Sequence, residues 1–373
     1  MAALFGAALS ELVTEPLLAA GFGLAGGLVL GLAARIGRFC TLGALEDWLY
    51  AGSTLRLRMW GIALASAIAG VFVLAHLGQL DLGDTLYATQ PWSPVASILG
   101  GLIFGYGMAI AGNCGFGALA RAGGGDFRSL VIVLVMGLSA YAFIGGPLAP
   151  LRIALQEALA PTALAPPPSL AKTAAAPFGL APLVPALAIA LAFAATALAS
   201  PAFRRSRALV GSGLAVGLAI AGGWWGTAWL AETGFDPIPV ESHSFTAPIG
   251  ESMLFVMTSA GSEISFGVGS VAGVLIGAFI GSLRLGHYRW EACDDPRELG
   301  RQLFGAFLMG IGGVLALGCS VGQGLTAFST LAPSAPLVLG AIVIGARVGL
   351  RQLIQGLMPA GMQGALRKRM KRA

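Results

Sequence analysis

Residues 16–34 hold no charged side chain, and eight later stretches of the chain are nearly as bare. An apolar run of about 20 residues is long enough to cross a hydrocarbon core about 30 Å thick as a helix. Backbone polar groups in lipid must be satisfied internally, which leaves helical bundles and closed barrels, and these runs lack the alternation of barrel strands. The chain therefore reads as an all-α polytopic membrane protein. Only 10% of its 373 residues are charged against 56% hydrophobic, which argues against a soluble enzyme.

Nine spans are expected, at about 16–37, 58–79, 94–112, 127–147, 182–200, 208–230, 265–284, 300–317 and 335–358. Four intervening segments, 40–50, 114–122, 247–258 and 319–330, are Gly-rich and semi-polar, too short to cross and too apolar for plain loops. They read as re-entrant half-helices, which membranes tolerate only where the broken backbone is buried in protein or lines a cavity.

Seven prolines from Pro147 to Pro177 mark an Ala/Pro-rich linker. The expected organisation is a first repeat over 1–147, a linker with one connecting span over 148–207, and a second repeat over 208–373. Each half runs span, half-helix, span, span, half-helix, span, and the single connecting span turns the second half over, so the repeats are inverted. A shift of 205 residues sets Gly100, Gly105, Gly107, Cys114 and Gly117 on Gly305, Gly310, Gly312, Cys319 and Gly322. The remaining half-helices match more weakly, with Cys40 set against Thr246.

The net charge of +5 is topological rather than a nucleic-acid signal: of 22 Lys and Arg, 18 fall on one side of the nine spans, including those of the tail RKRMKRA. That side is the cytoplasm, which leaves the amino terminus outside. No basic residue precedes Arg35, so the first apolar segment reads as a span rather than a signal peptide. No Walker A, G-x-S-x-G or H-E-x-x-H pattern is present, and neither a metal site nor a cofactor is expected. His76, His243 and His287 are too scattered for a relay, while Trp48, Trp60, Trp92 and Trp224–Trp225 fit an interfacial belt.

Three of the four cysteines open one pattern, CTLGAL at Cys40, CGFGAL at Cys114 and CSVGQGL at Cys319, each with Gly three positions on. A span ends before each Cys and a short helix starts after it, so the thiol lies beside unpaired N–H groups where the helix dipole is positive. An anion is the natural guest there. Gly115, Gly117 and Gly322 permit close approach, and the thiols are weak polarisable donors suited to a sulfur atom. Asn113 and Gln323 add amides, and Thr246 adds a hydroxyl at the fourth half-helix. Arg347, a charge inside the last span that costs on the order of 3 kcal/mol if uncompensated, is a further candidate anion contact. The same small residues also serve tight helix packing.

The stretches GRFCTLGAL, AGNCGFGALARAGGG and GGVLALGCSVGQGLTAFSTL resemble the YeeE/YedE family of bacterial inner-membrane proteins, which includes thiosulfate uptake transporters. The resemblance covers most of the chain. It implies nine spans and four short helices in an hourglass, with Cys40, Cys114 and Cys319 passing thiosulfate along by S–H hydrogen bonds. It also implies a small cytoplasmic sulfur-carrier protein as a partner. Members linked to selenium leave the solute open, and a membrane thiol enzyme transferring sulfur to a soluble acceptor is the alternative. Cys293, in RWEACDDPRE, matches none of the motifs and reads as an incidental loop cysteine.

Overall fold

A computed structural model describes residues 14–90, 92–159, 168–291 and 295–355. Cys293 and the basic tail lie outside these residues. The principal helices are α1 (Glu15–Ile36), α2 (Thr41–Leu49), α3 (Leu55–His76), α4 (Pro94–Ala111), α5 (Gly115–Gly123) and α6 (Phe127–Ile144), followed by α7 (Leu183–Leu198), α8 (Arg207–Thr233), α9 (Ala247–Thr258), α10 (Phe266–Arg284), α11 (Pro296–Leu315) and α12 (Ser334–Gln355). A π-helical turn over Gly322–Ala327 stands where the fourth half-helix was expected.

The nine expected spans fall on helices, and seven of these (α1, α3, α4, α6, α8, α10 and α12) are long and apolar enough to cross a membrane. The other two differ for visible reasons. Helix α7 has 16 residues, and α11 carries Arg297, Glu298 and Arg301 in its first turns. Local signals set the ends. Asp126 accepts from Arg128 N and Ser129 N to start α6, and the Ser265 hydroxyl accepts from Val268 N to start α10.

Glycines set how closely the helices approach. On α1, Gly23, Gly27 and Gly31 face α10, and a Cβ on them would lie 2.1–2.3 Å from the carbonyl oxygens of Phe266, Ser270 and Val274. Helix α10 answers with Gly269, Gly273 and Gly277, whose Cβ positions lie 2.0–2.3 Å from the Ala20, Leu24 and Leu28 oxygens. Two small-residue ridges at four-residue spacing thus let backbone meet backbone, the usual means of helix association in lipid.

The packing also exchanges between the halves. Helix α1 packs on α10 and α8 on α3; α4 packs on α12 and α11 on α6; α4 and α11 pack on each other. The glycines aligned by the 205-residue shift lie at these contacts. Gly107 meets the Gly305 carbonyl and Gly100 the Gly312 carbonyl, while Gly105 abuts Ile342 on α12 and Gly310 abuts Met136 on α6.

Three tryptophans assigned to a belt are instead buried. Trp224 donates to Ser329 Oγ at 3.1 Å, Trp92 donates to Ser97 Oγ at 2.9 Å, and Trp60 stacks on Phe39. Trp224 and Trp92 are buried with partnered indoles, Trp60 is held by the stack with its indole N–H unpartnered, and apolarity alone does not show which face of a span is outward. Trp48 and Trp225 are exposed, as a belt requires.

Candidate functional site

The three motif cysteines share one backbone geometry. Two residues before each, the chain takes a left-handed turn, at Arg38 (φ 53), Gly112 (φ 77) and Leu317 (φ 56). Only the middle one is the glycine that such a turn favours, so two sites hold a side chain in a costly conformation. Cys40 and Cys114 are the extended residues from which α2 and α5 start. The Cys114 sulfur accepts from Gly117 N at 3.2 Å and the Cys319 sulfur from Gly322 N at 3.3 Å. These two thiols therefore each satisfy an orphan donor of the turn that follows, whereas Cys40 makes no such bond.

Cys40 and Cys114, which start α2 and α5, are brought to the same glycine. Gly117 forms the floor beneath them: a Cβ there would lie 3.2 Å from the Cys40 sulfur and 3.3 Å from that of Cys114. The two thiols share one glycine-sized space.

Two cavities bear on the expected site residues, and neither is lined by Cys114 or Cys319. One of about 340 Å³ is lined by Cys40, Asn113 and Gly117 together with Arg35, Arg38, Arg56 and Arg121. Arg35 donates to Ser282 Oγ at 2.6 Å and Arg56 pairs with Asp47 at 3.1 Å, so their charges are held in place. The other, of about 350 Å³, is lined by Thr246 and Gly318 with Tyr87, Arg152, Glu241 and Glu251. Buried rings pack against one another. Phe39 contacts Phe116 at 6.5 Å between centroids, and Phe116 contacts Phe245 at 5.2 Å. Beside them Thr41 donates to Ser320 Oγ at 3.0 Å, joining the residue after Cys40 to the residue after Cys319. Two separate polar-lined cavities and a group of buried rings result.

The other expected site residues divide. Asn113 lines the arginine-rich cavity. Thr246 lines the other, and its buried hydroxyl has no hydrogen-bond partner. Gly115 and Gly322 serve packing, because a Cβ on them would meet Met136 Cε at 2.5 Å and Ser244 Oγ at 2.6 Å. Gln323 was expected to offer its amide N–H to an anion, but Nε2 donates to the Ala316 and Leu317 carbonyls at 2.9 and 3.1 Å. Its unpartnered atom is Oε1, an acceptor, which the close of α11 onto the π-helical turn leaves free.

Arg347 is a correction. Its side chain is exposed on α12, as is that of Arg351 one turn on, and it lines neither cavity. On an exposed face of a helix a long Arg needs no partner inside the bundle. Sequence reasoning missed Tyr87, which donates to Gly322 O at 3.0 Å, and the vestibule acids Glu241 and Glu251. Tyr87 has no motif around it. The acids carry no motif either, and only the fold turns them toward a cavity. His243, in contrast, is buried against Gly26 and Ser270 and lines neither cavity.

Comparison with known proteins gives a consistent result. A family described as sulphur transport matches residues 36–348. A thiosulfate transporter, TsuA, of Spirochaeta thermophila is 26% identical over 329 residues, covering 87% of this chain and 96% of that protein. The thiosulfate transporter TsuA of Escherichia coli K12 is 26% identical over 324 residues, covering 81% of this chain and 86% of that protein.

Proposed function

The chain belongs to the sulphur-transport (YeeE/YedE) family, and on that premise we propose that it takes up thiosulfate through the two cavities and past the Cys40–Cys114 pair. The observation that carries the reading is that pair: two thiols over one glycine. Thiosulfate offers oxygens and a terminal sulfur, all acceptors. Helix-start N–H groups and S–H donors replace part of the water it must shed. Weak contacts at successive thiols let it leave as readily as it arrives.

In this reading the arginine-rich cavity opens to the cytoplasm of a bacterial inner membrane, and the cavity with Glu241 opens outward, in accord with the positive-inside rule. The halves 1–147 and 208–373 act as inverted repeats, supported by the exchanged packing of α1 on α10 and α8 on α3. An inside-negative potential opposes a dianion by about 4.6 kcal/mol per 100 mV, so rapid consumption inside favours net uptake. A small cytoplasmic sulfur carrier collecting the anion at the inner arginines fits that need.

The test is labelled thiosulfate uptake in a bacterial strain lacking its own sulfate and thiosulfate importers. The parent restores uptake, and Cys114→Ala and Cys319→Ala at matched membrane levels abolish most of it. Full transport by the double variant would sink the thiol path, and no uptake by a well-inserted parent would sink thiosulfate as the solute.

A further inference from the structure

The outer cavity has charge of the wrong sign for an anion path. Its lining sets Glu241 and Glu251 against a single cation, Arg152, whereas the inner cavity sets four arginines against Glu46. Nor is Arg152 free to neutralise the pair: it donates to Phe143 O at 3.1 Å and to Gln156 Oε1 at 2.9 Å. None of the ion pairs found among the described residues includes Glu241 or Glu251. With both acids ionised, a dianion arriving from outside meets repulsion at the first surface it reaches.

A second feature indicates that this cavity receives a polar guest. The Thr246 side chain is 2% exposed, lines the cavity and has no hydrogen-bond partner. A buried hydroxyl left unpaired is costly unless something fills the space beside it.

Resting on the reading of this cavity as the outer mouth of the thiosulfate path, we propose that it is a proton-binding site, in which external protons load Glu241 and Glu251 as the condition for the anion to enter. A neutral carboxyl no longer repels the anion, and its O–H becomes a donor toward an oxyanion, alongside the Thr246 hydroxyl. The groups facing Glu241 are Tyr87 from Leu86–Thr89, Arg152 from Ala149–Leu159 and Glu251 from α9; α8 and α11 bring only Trp224, Gly313 and Val314, which do not titrate. Burial pushes the Glu241 carboxyl up to about 7, within reach of ordinary external pH. The inner mouth needs no such device, since its arginines outnumber its acid.

The test uses the full chain in liposomes, with the potential held at zero by potassium and valinomycin and the internal pH fixed. Initial labelled-thiosulfate uptake is compared between external pH of about 6.5 and about 8.5. The expected result is a fall of roughly 20- to 30-fold, the loss of one proton with a midpoint near neutrality. Glu241→Gln, which cannot ionise, flattens the profile and exceeds the parent at the higher pH. Glu251→Gln moves the midpoint down, because a neighbouring negative charge is gone. A flat profile in a transporting parent, or an equally steep one in Glu241→Gln, overturns the proton site alone. A correctly inserted parent that moves no thiosulfate at either pH overturns both the proton site and the solute.

Discussion

The Thr41 hydroxyl donates to the Ser320 hydroxyl at 3.0 Å, bridging 279 residues of sequence in a buried position. Thr41 follows Cys40 and Ser320 follows Cys319, so this bond ties the segment that starts α2 to the one that follows α11. Both residues are buried, and a buried hydrogen bond is strengthened by the absence of water.

Removing one partner is therefore costly. Thr41→Val leaves the Ser320 hydroxyl unpaired in an apolar setting and is expected to destabilise by about 1–3 kcal/mol. Thermal unfolding in detergent measures it. The double variant with Ser320→Ala should recover part of the loss, and strictly additive losses would show that the bond contributes nothing.

Serine and alanine separate two roles of the cysteines. Cys114 caps α5 through Gly117 N, so Cys114→Ala loses a cap of about 0.5–2 kcal/mol as well as the thiol. Cys114→Ser keeps a capping oxygen and should melt near the parent while transporting poorly. Normal uptake by the Ser variant would mean that the sulfur atom is not needed.

Leu317 holds φ 56, where a side chain is strained. Leu317→Gly relieves about 1 kcal/mol and raises the melting temperature, provided the backbone stays as it is. A lowered melting temperature would show that the Leu317 side chain contributes more than its backbone strain costs.

Glycines of the α1–α10 contact and glycines in open space should respond oppositely. A Cβ on Gly27 would sit 2.3 Å from the Ser270 oxygen, whereas nothing lies within 4 Å of one on Gly21. Gly27→Ala is expected to lose most of the folded protein by size-exclusion profile, and Gly21→Ala to gain a few tenths of a kcal/mol through helix propensity.

Stability should also report on Glu241. Its carboxyl is raised from 4.5 to about 7 by burial, so the folded state favours the proton. Stability is then full below about 4.5 and is lost as pH rises through 7. Melting temperatures at pH of about 5 and 8 should differ more for the parent than for Glu241→Gln, and an unchanged difference would refute the burial effect.

Much of this protein was legible in the order of its residues, because lipid imposes a simple rule. Runs such as 16–34 must be helices once they enter a membrane, and a cysteine between a span and a Gly-rich segment must start something short. Gly105 and Gly310, set on each other by the shift of 205 residues, are each at a close helix contact, against Ile342 and Met136. What a hydropathy pattern lacks is direction around the helix axis. Trp224 reads as well on an interface as in the core where it lies, and Arg347 as well inside the bundle as on the exposed face it occupies. Pairing across long separations is the other quantity that only tertiary structure decides. Thr41 meets Ser320 because helices pack across the two halves, Cys40 meets Cys114 over Gly117, and the fold turns Glu241 and Glu251 into one cavity; no local signal in the chain encodes these placements.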